Sequence, residues 1–132
     1  MYHEINPEKL REECGVLGIY TDACEETAKL LYYGLYALQH RGQESAGIAV
    51  NNGLRSNYHK AMGLVPDVFG DEILSKLVGH IGVGHVRYSS AGESHVENAQ
   101  PLVARYRRGS LSLAHNGRLT NANIIKDSLE ED

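Results

Sequence analysis

Apolar side chains recur along this chain in two rhythms. A short continuous run, "CGVLGIY" at positions 14–20, reads as a strand. "EETAKLLYYGLYALQHRG" at 25–42 changes period: Ala28, Leu31, Leu35 and Leu38 recur at helical spacing, and Gly42 supplies a stop. "SAGIAVNNGLRSNYHKA" at 45–61 predicts two strands joined at Asn52-Gly53, a strong two-residue hairpin signal. In "PDVFGDEILSKL" at 66–77, Pro66 and Asp67 stand where a helix start wants them. Val68, Ile73, Leu74 and Leu77 form its apolar side. "HIGVGHVRYSS" at 80–90 predicts a strand, "PLVARYRRGSLSLAHNG" at 101–117 a hairpin turning at Arg107 to Gly109, and "NANIIKDSLEED" at 121–132 a helix. Helices mixed with hairpins predict an α+β fold in which antiparallel sheets are covered by helices.

Before the first strand, "MYHEINPEKLREE" at 1–13 has six charged side chains and one proline, too polar for a core strand and too short for a helix of its own. It reads as a segment held loosely or removed, or as an ordinary tail before a buried cysteine. With 132 residues and 42% hydrophobic content, the chain suits one domain with a core of its own. A formal net charge of -4 argues against a nucleic-acid surface, and the basic cluster "RYRRG" at 105–109 reads as a solvated hairpin end. No stretch approaches the roughly 18 apolar residues of a membrane span, so the expectation is a cytoplasmic protein with reduced thiols and no membrane partner. The two cysteines, Cys14 and Cys24, and the seven histidines show no metal-binding spacing. Repeats and low-complexity tracts are lacking.

Three polar clusters sit at the edges of apolar segments. In "LQHRGQESAGIAV", His40, Arg41, Gln43 and Glu44 crowd around Gly42. In "GHVRYSSAG", His85, Arg87 and Tyr88 end a glycine-rich strand; Arg87 suits either a structural ion pair or a carboxylate held by the guanidinium fork. The spacing Gly82-Val83-Gly84 fails as a dinucleotide fingerprint, because the next required glycine falls on Arg87. In "LAHNGRLTN", Asn116-Gly117 reads either as a tight turn or as a side-chain amide beside an unshielded N–H that together bind an oxyanion.

Taken in order, "CGVLGIY", "LQHRGQESAGIAV", "GHVRYSSAG", "NAQPL" and "LAHNGRLTN" closely resemble the glutaminase domain of the amidophosphoribosyltransferase family, the class-II glutamine amidotransferases that open purine biosynthesis. The resemblance runs from Cys14 to about Asn123. His40 and Tyr88 stand where glucosamine-6-phosphate synthases tend to have tyrosine and tryptophan; Ser90 replaces a usual threonine and keeps the hydroxyl.

The resemblance implies an N-terminal-nucleophile hydrolase fold, an αββα sandwich of two antiparallel sheets between helices, here cut short at its C-terminal end. It implies a leader, residues 1–13, cleaved at Glu13-Cys14, and a partial glutaminase domain over 14–132. Cys14 would be the nucleophile. Thiols attack as thiolates and need a base near neutral pH, and a freed α-amino group with a reference pKa of roughly 7.7–8.0 supplies one on the same residue. Asn116 and Gly117 would form the oxyanion hole, Arg87 would clamp the glutamine α-carboxylate, Arg41 and Gly42 would line the pocket, and Tyr88 and His85 would support substrate binding.

The parent protein would pass ammonia to phosphoribosyl pyrophosphate with Mg2+ in a further domain, giving 5-phosphoribosylamine. One branch of the family holds a [4Fe-4S] cluster outside this region, so Cys24 is no cluster ligand, and no cofactor is expected in this chain. The parent would be a homo-oligomer, and this chain alone weakly active or inactive. The alternatives are the glutaminase domain of another class-II amidotransferase, such as a glucosamine-6-phosphate synthase, or a fragment without activity.

Overall fold

A computed structural model of the chain describes residues 14–88, 95–117 and 119–131. The expected leader at 1–13 and the end of the predicted strand at 89–90 lie outside the described residues. Among the described residues, six strands and four helices follow one another as β1 (Gly15–Tyr20), α1 (Thr27–Ala37), β2 (Ser45–Asn51), β3 (Ser56–Met62), α2 (Val65–Val68), α3 (Asp71–Lys76), β4 (Ile81–Arg87), β5 (Leu102–Tyr106), β6 (Gly109–Leu113) and α4 (Ala122–Glu130). Short 3-10 turns occupy Gln39–Arg41 and Val96–Asn98.

The strands form an antiparallel four-stranded sheet in the order β1-β4-β2-β3 and a two-stranded sheet, β5-β6. Because side chains alternate across a strand, β4 sends Gly82, Gly84 and Val86 to one face and Val83, His85 and Arg87 to the other.

The first face carries α1. Ala28, Leu31 and Leu35, on the stripe that the helical period picked out, are fully buried. The missing side chains of β4 make the room: a Cβ on Gly82 would lie 2.6 Å from Leu31 Cδ1, and one on Gly84 2.9 Å from Leu35 Cδ1. Ile48 and Val50 of β2 and Val65, Val68 and Phe69 complete this core. Each fully buried leucine or isoleucine contributes about 1.5–3 kcal/mol.

The second face carries the small sheet. Ser56 Oγ on β3 lies 2.7 Å from Ser110 Oγ on β6, and Asn51 Nδ2 donates to both hydroxyls at 3.0 and 3.2 Å. α4 follows the small sheet and keeps Ile124 and Leu129 exposed.

Three local expectations are corrected. The helix expected over 25–42 is α1 followed by the 3-10 turn Gln39–Arg41, with Leu38 between them. The helix expected over 66–77 is two short helices, because Phe69 and Gly70 are extended; its apolar residues still face the core, with Val68 and Leu77 buried. The turn at Asn52-Gly53 is a four-residue connection, since Asn51 pairs with Ser56. Asn51 Oδ1 accepts from Gly53 N–H at 2.6 Å and Asn52 Oδ1 from Leu54 and Arg55 N–H at 3.0 Å each, so side-chain acceptors replace the ladder there. The hairpin turn at Arg107-Arg108 is as expected, with Tyr106 opposite Gly109.

Candidate active site

Cys14 stands at the head of β1, whose register carries it to the end of β4 beside Arg87 and Tyr88. Its Sγ lies between the two main-chain groups of Tyr88: the Tyr88 N–H donates to it at 3.4 Å, and it donates to the Tyr88 carbonyl at 3.5 Å. Tyr88 therefore meets the thiol through its backbone, while its side chain is exposed.

Arg41 grips Cys14 in both directions. Cys14 N–H donates to the Arg41 carbonyl at 2.9 Å, and Arg41 Nε–H donates to the Cys14 carbonyl at 2.7 Å. Cys14 itself has φ 59°, a left-handed conformation uncommon outside glycine.

Gly42 lies flat against the end of β4. A Cβ there would sit 2.7 Å from the carbonyl carbons of both Val86 and Arg87, so no other residue fits without moving main chain. Gln39, which the sequence reading passed over, brackets this turn. Its Nε2 donates to the Gly42 carbonyl at 2.5 Å, and its Oε1 accepts from Val65 N–H at 2.7 Å. The guanidinium of Arg87 donates through Nη1 to the Asn98 carbonyl at 2.6 Å; with five donors in its fork, that single bond does not exhaust it.

The 115–117 turn closes the other side. Asn116 Nδ2 donates to the Cys14 carbonyl at 3.4 Å, which brings the expected oxyanion donor to the nucleophilic residue. Gly117 differs from expectation: its N–H is taken by His115 Nδ1 at 3.1 Å.

His85 is fully buried on β4. Its Nε2 lies 3.1 Å from the His115 carbonyl. A carbonyl only accepts, which puts the proton on Nε2 and leaves Nδ1 as a lone pair. Nδ1 has no partner among the described residues. Burial pushes the His85 pKa below the ordinary histidine value. The His115 carbonyl and the neighbouring Asn116 side chain oppose that shift, and His115 and Arg87 add to it. Protonation would bury an unpaired N–H as well as a charge, so His85 is held neutral.

The structure thus brings Arg41, Tyr88 and Asn116 onto Cys14, with Gly42 packed on the adjoining end of β4, where Arg87 stands, and His85 two residues back on that strand. Cys24 lies beyond the opposite end of β1. Among the described residues no group of three or more His, Cys, Asp or Glu could hold a metal ion. No helix among the described residues is long and apolar enough to cross a membrane.

No protein-family model matches the chain. Individual relatives do. The chain is 54% identical over 130 residues to the amidophosphoribosyltransferase of Synechocystis sp., covering 98% of this chain and 26% of the relative. It is 49% identical over 125 residues to that of Methanothermobacter thermautotrophicus, covering 94% and 26%. Among solved structures it superposes on an allosteric regulatory enzyme of purine biosynthesis with a TM-score of 0.78 at 49% identity, over 88% of this chain and 25% of that one. On the glutamine phosphoribosylpyrophosphate amidotransferase from B. subtilis complexed with ADP and GMP the TM-score is 0.70 at 44% identity, over 90% and 24%. The chain spans about a quarter of the length of these proteins. At about half identity over nearly all its own residues, the chain is similar to about a quarter of the length of these amidophosphoribosyltransferases, and it has the N-terminal-nucleophile hydrolase fold of its structural neighbours.

Proposed function

We propose that this chain is the glutamine-hydrolysing part of an amidophosphoribosyltransferase, with Cys14 as nucleophile. The observation that carries the reading is the thiol held between the Tyr88 N–H and carbonyl, with Arg41 and Asn116 both on the Cys14 carbonyl.

Removal of residues 1–13 frees the Cys14 nitrogen as an amine. Its bond to the Arg41 carbonyl orients that amine while leaving its lone pair for the thiol proton. Cleavage also releases the left-handed Cys14 backbone, a conformation that costs of order 1–3 kcal/mol in a non-glycine residue. The thiolate then attacks the glutamine side-chain carbonyl: an S–C bond forms and the carbonyl π pair moves to oxygen. Asn116 Nδ2 turns from the Cys14 carbonyl to that oxyanion, and the Gly117 N–H exchanges His115 Nδ1 for it.

The C–N bond breaks, and the nitrogen leaves as ammonia with the proton held on the α-amine. Water attacks the thioester, giving glutamate and the thiol. The remaining N–H groups of Arg87 bind the substrate carboxylate and fix its reach to the sulfur. In the parent, ammonia passes to phosphoribosyl pyrophosphate, for which magnesium would supply charge neutralisation in another domain. Cytoplasmic location and self-association of the parent belong to the same reading.

The test uses the full-length protein that contains this region. In the Cys14→Ala variant, glutamine-dependent turnover is expected to vanish while turnover with free ammonia continues, and intact mass of the wild type is expected to place Cys14 first. Glutamine-dependent turnover surviving in Cys14→Ala would overturn the assignment.

A further inference from the structure

The turn that brings Asn116 to Cys14 is exposed, yet three hydrogen bonds from separate parts of the fold converge on it. We propose that Gln100 is a positioning residue for the site, holding the 115–117 turn in register with Cys14; this rests on the reading of Cys14 and Asn116 given above.

The register of the small sheet explains why position 100 matters. Leu102 pairs with Leu113, so continuing the ladder by two residues sets Gln100 opposite His115. Pro101 interrupts that ladder, having no N–H to give. The Gln100 side chain substitutes for it: Oε1 accepts the His115 N–H at 2.7 Å.

Gln100 is itself fixed from the large sheet. Lys60, Gly47 and His85 stand side by side on β3, β2 and β4 in one row across the ladder. Lys60 Nζ donates to the Ala99 carbonyl at 2.6 Å and to the Pro101 carbonyl at 3.3 Å. Gly47 lets the chain between them lie on the sheet, since a Cβ there would fall 2.0 Å from the Gln100 carbonyl oxygen. His85, at the end of the row, donates to the His115 carbonyl. One row of the sheet therefore holds both sides of the clasp. His115 is gripped at its N–H by Gln100 and at its carbonyl by His85, and Asn116 is the next residue. Among the described residues no hydrogen bond joins Gln100 to the thiol or to Asn116, so its effect reaches the chemistry through the placement of the turn.

A turn displaced by about 1 Å can cost on the order of 100-fold in rate, and an oxyanion donor acts near the transition state. In the full-length protein, Gln100→Leu removes the acceptor at similar volume. It is expected to lower kcat for glutamine on the order of 100-fold with KM changed less than about threefold, while ammonia-dependent turnover and the thermal midpoint hold. Gln100→Glu keeps an oxygen acceptor at the same reach and is expected to restore kcat to within about fivefold of wild type, by the same logic. If Gln100→Leu does not accumulate as folded protein, Gln100→Asn, one methylene too short to reach His115, is read in its place with the same expectation.

The proposal is overturned if the variant lacking the bond keeps wild-type kcat, if KM carries the loss, or if Gln100→Glu is as slow as it. Cys14→Ala measured in parallel separates the two readings. Glutamine turnover in Cys14→Ala sinks the nucleophile assignment, whereas an inactive Cys14→Ala beside a fully active Gln100→Leu sinks this proposal alone.

Discussion

Main chain builds one side of the Cys14 site and side chains build the other. On the near side, Cys14, Arg41, Gly42 and the end of β4 are tied by backbone groups. Cys14 N–H meets the Arg41 carbonyl, Tyr88 N–H meets Sγ, and Glu44 N–H donates to the Arg87 carbonyl at 3.0 Å. Gly42 seals the joint by contact. On the far side, the 115–117 turn is exposed and is placed by Gln100, His85 and the ring of His115.

The near side is continuous with the core, where Val86 is fully buried and pairs with Ala46. Its geometry is inherited from folding. Bonds that can be exchanged set the far side, which suits a group that must turn from one acceptor to another during a reaction. Changes on the two sides should therefore separate: stability is lost on the near side, and rate alone on the far side.

The largest expected effect tests the far side. Asn116→Ala removes the side-chain donor, and loss of one such donor typically costs roughly 2.7–4 kcal/mol of transition-state stabilisation. kcat for glutamine should fall by about 10²–10³-fold, with KM and the urea midpoint of the full-length protein nearly unchanged. A parallel fall in the urea midpoint would show that the turn is part of the framework and erase the distinction.

Gly42→Ala makes the opposite claim for the near side. With backbone carbons 2.7 Å from the new Cβ, the strand end must shift, and overpacking of this kind costs about 1–3 kcal/mol. The expected result is a lower urea midpoint at unchanged m-value, with glutamine turnover reduced because the Arg41 carbonyl moves with Gly42. Unchanged stability would mean that the turn yields more freely than its packing implies.

Much of the near side was legible in the sequence, and little of the far side was. The stripe of Ala28, Leu31 and Leu35 and the alternation on β4 follow from periods of 3.6 and 2, so the core and the strand that carries Arg87 could be read directly. The break at Phe69-Gly70 shows only as the five-residue step from Val68 to Ile73, which leaves the helical spacing that Ile73 and Leu77 keep. At Asn52-Gly53 the dipeptide suggested the tighter turn, and the Asn51 and Asn52 side chains favoured the wider one.

The motifs identified Asn116, and "NAQPL" contains Gln100 but gives it no role. Its partner is fifteen residues away, and in sequence it is merely a polar residue before a proline. The signal was present in the hairpin: once the turn is set at Arg107-Arg108, counting back along both strands places position 100 opposite 115. The burial of His85 was not legible for a related reason, since facing inward on the second sheet face is a property of the two-layer packing and not of the strand.

Arg87 joins the two sides, and its expected effect is smaller. It leaves β4 on the near side, and its guanidinium reaches Asn98. Arg87→Lys keeps the charge and loses the fork, so a lysine can hold Asn98 or the substrate carboxylate but not both with paired bonds. KM for glutamine should rise roughly tenfold, about 1.4 kcal/mol, with little change in ammonia-dependent turnover. A loss confined to kcat would instead place Arg87 with Asn116 among groups that act at the transition state.

The smallest effect is a pH dependence of stability from His85, and it sharpens the comparison because this residue lies on the near side and holds the far one. Burial lowers its pKa in the folded protein, so between the folded and unfolded values the unfolded chain binds the extra proton. Stability then rises with pH. The contribution is complete above the ordinary histidine value of about 6.5 and is lost as pH falls below it toward the lowered folded value. Urea midpoints measured from pH 7.5 down to 5 should decline for the wild type and decline less for His85→Gln, whose amide can still donate to the His115 carbonyl but takes up no proton. Equal slopes for the two proteins would mean that His85 is not kept neutral by its burial, and the tautomer that holds His115 would lose its physical basis.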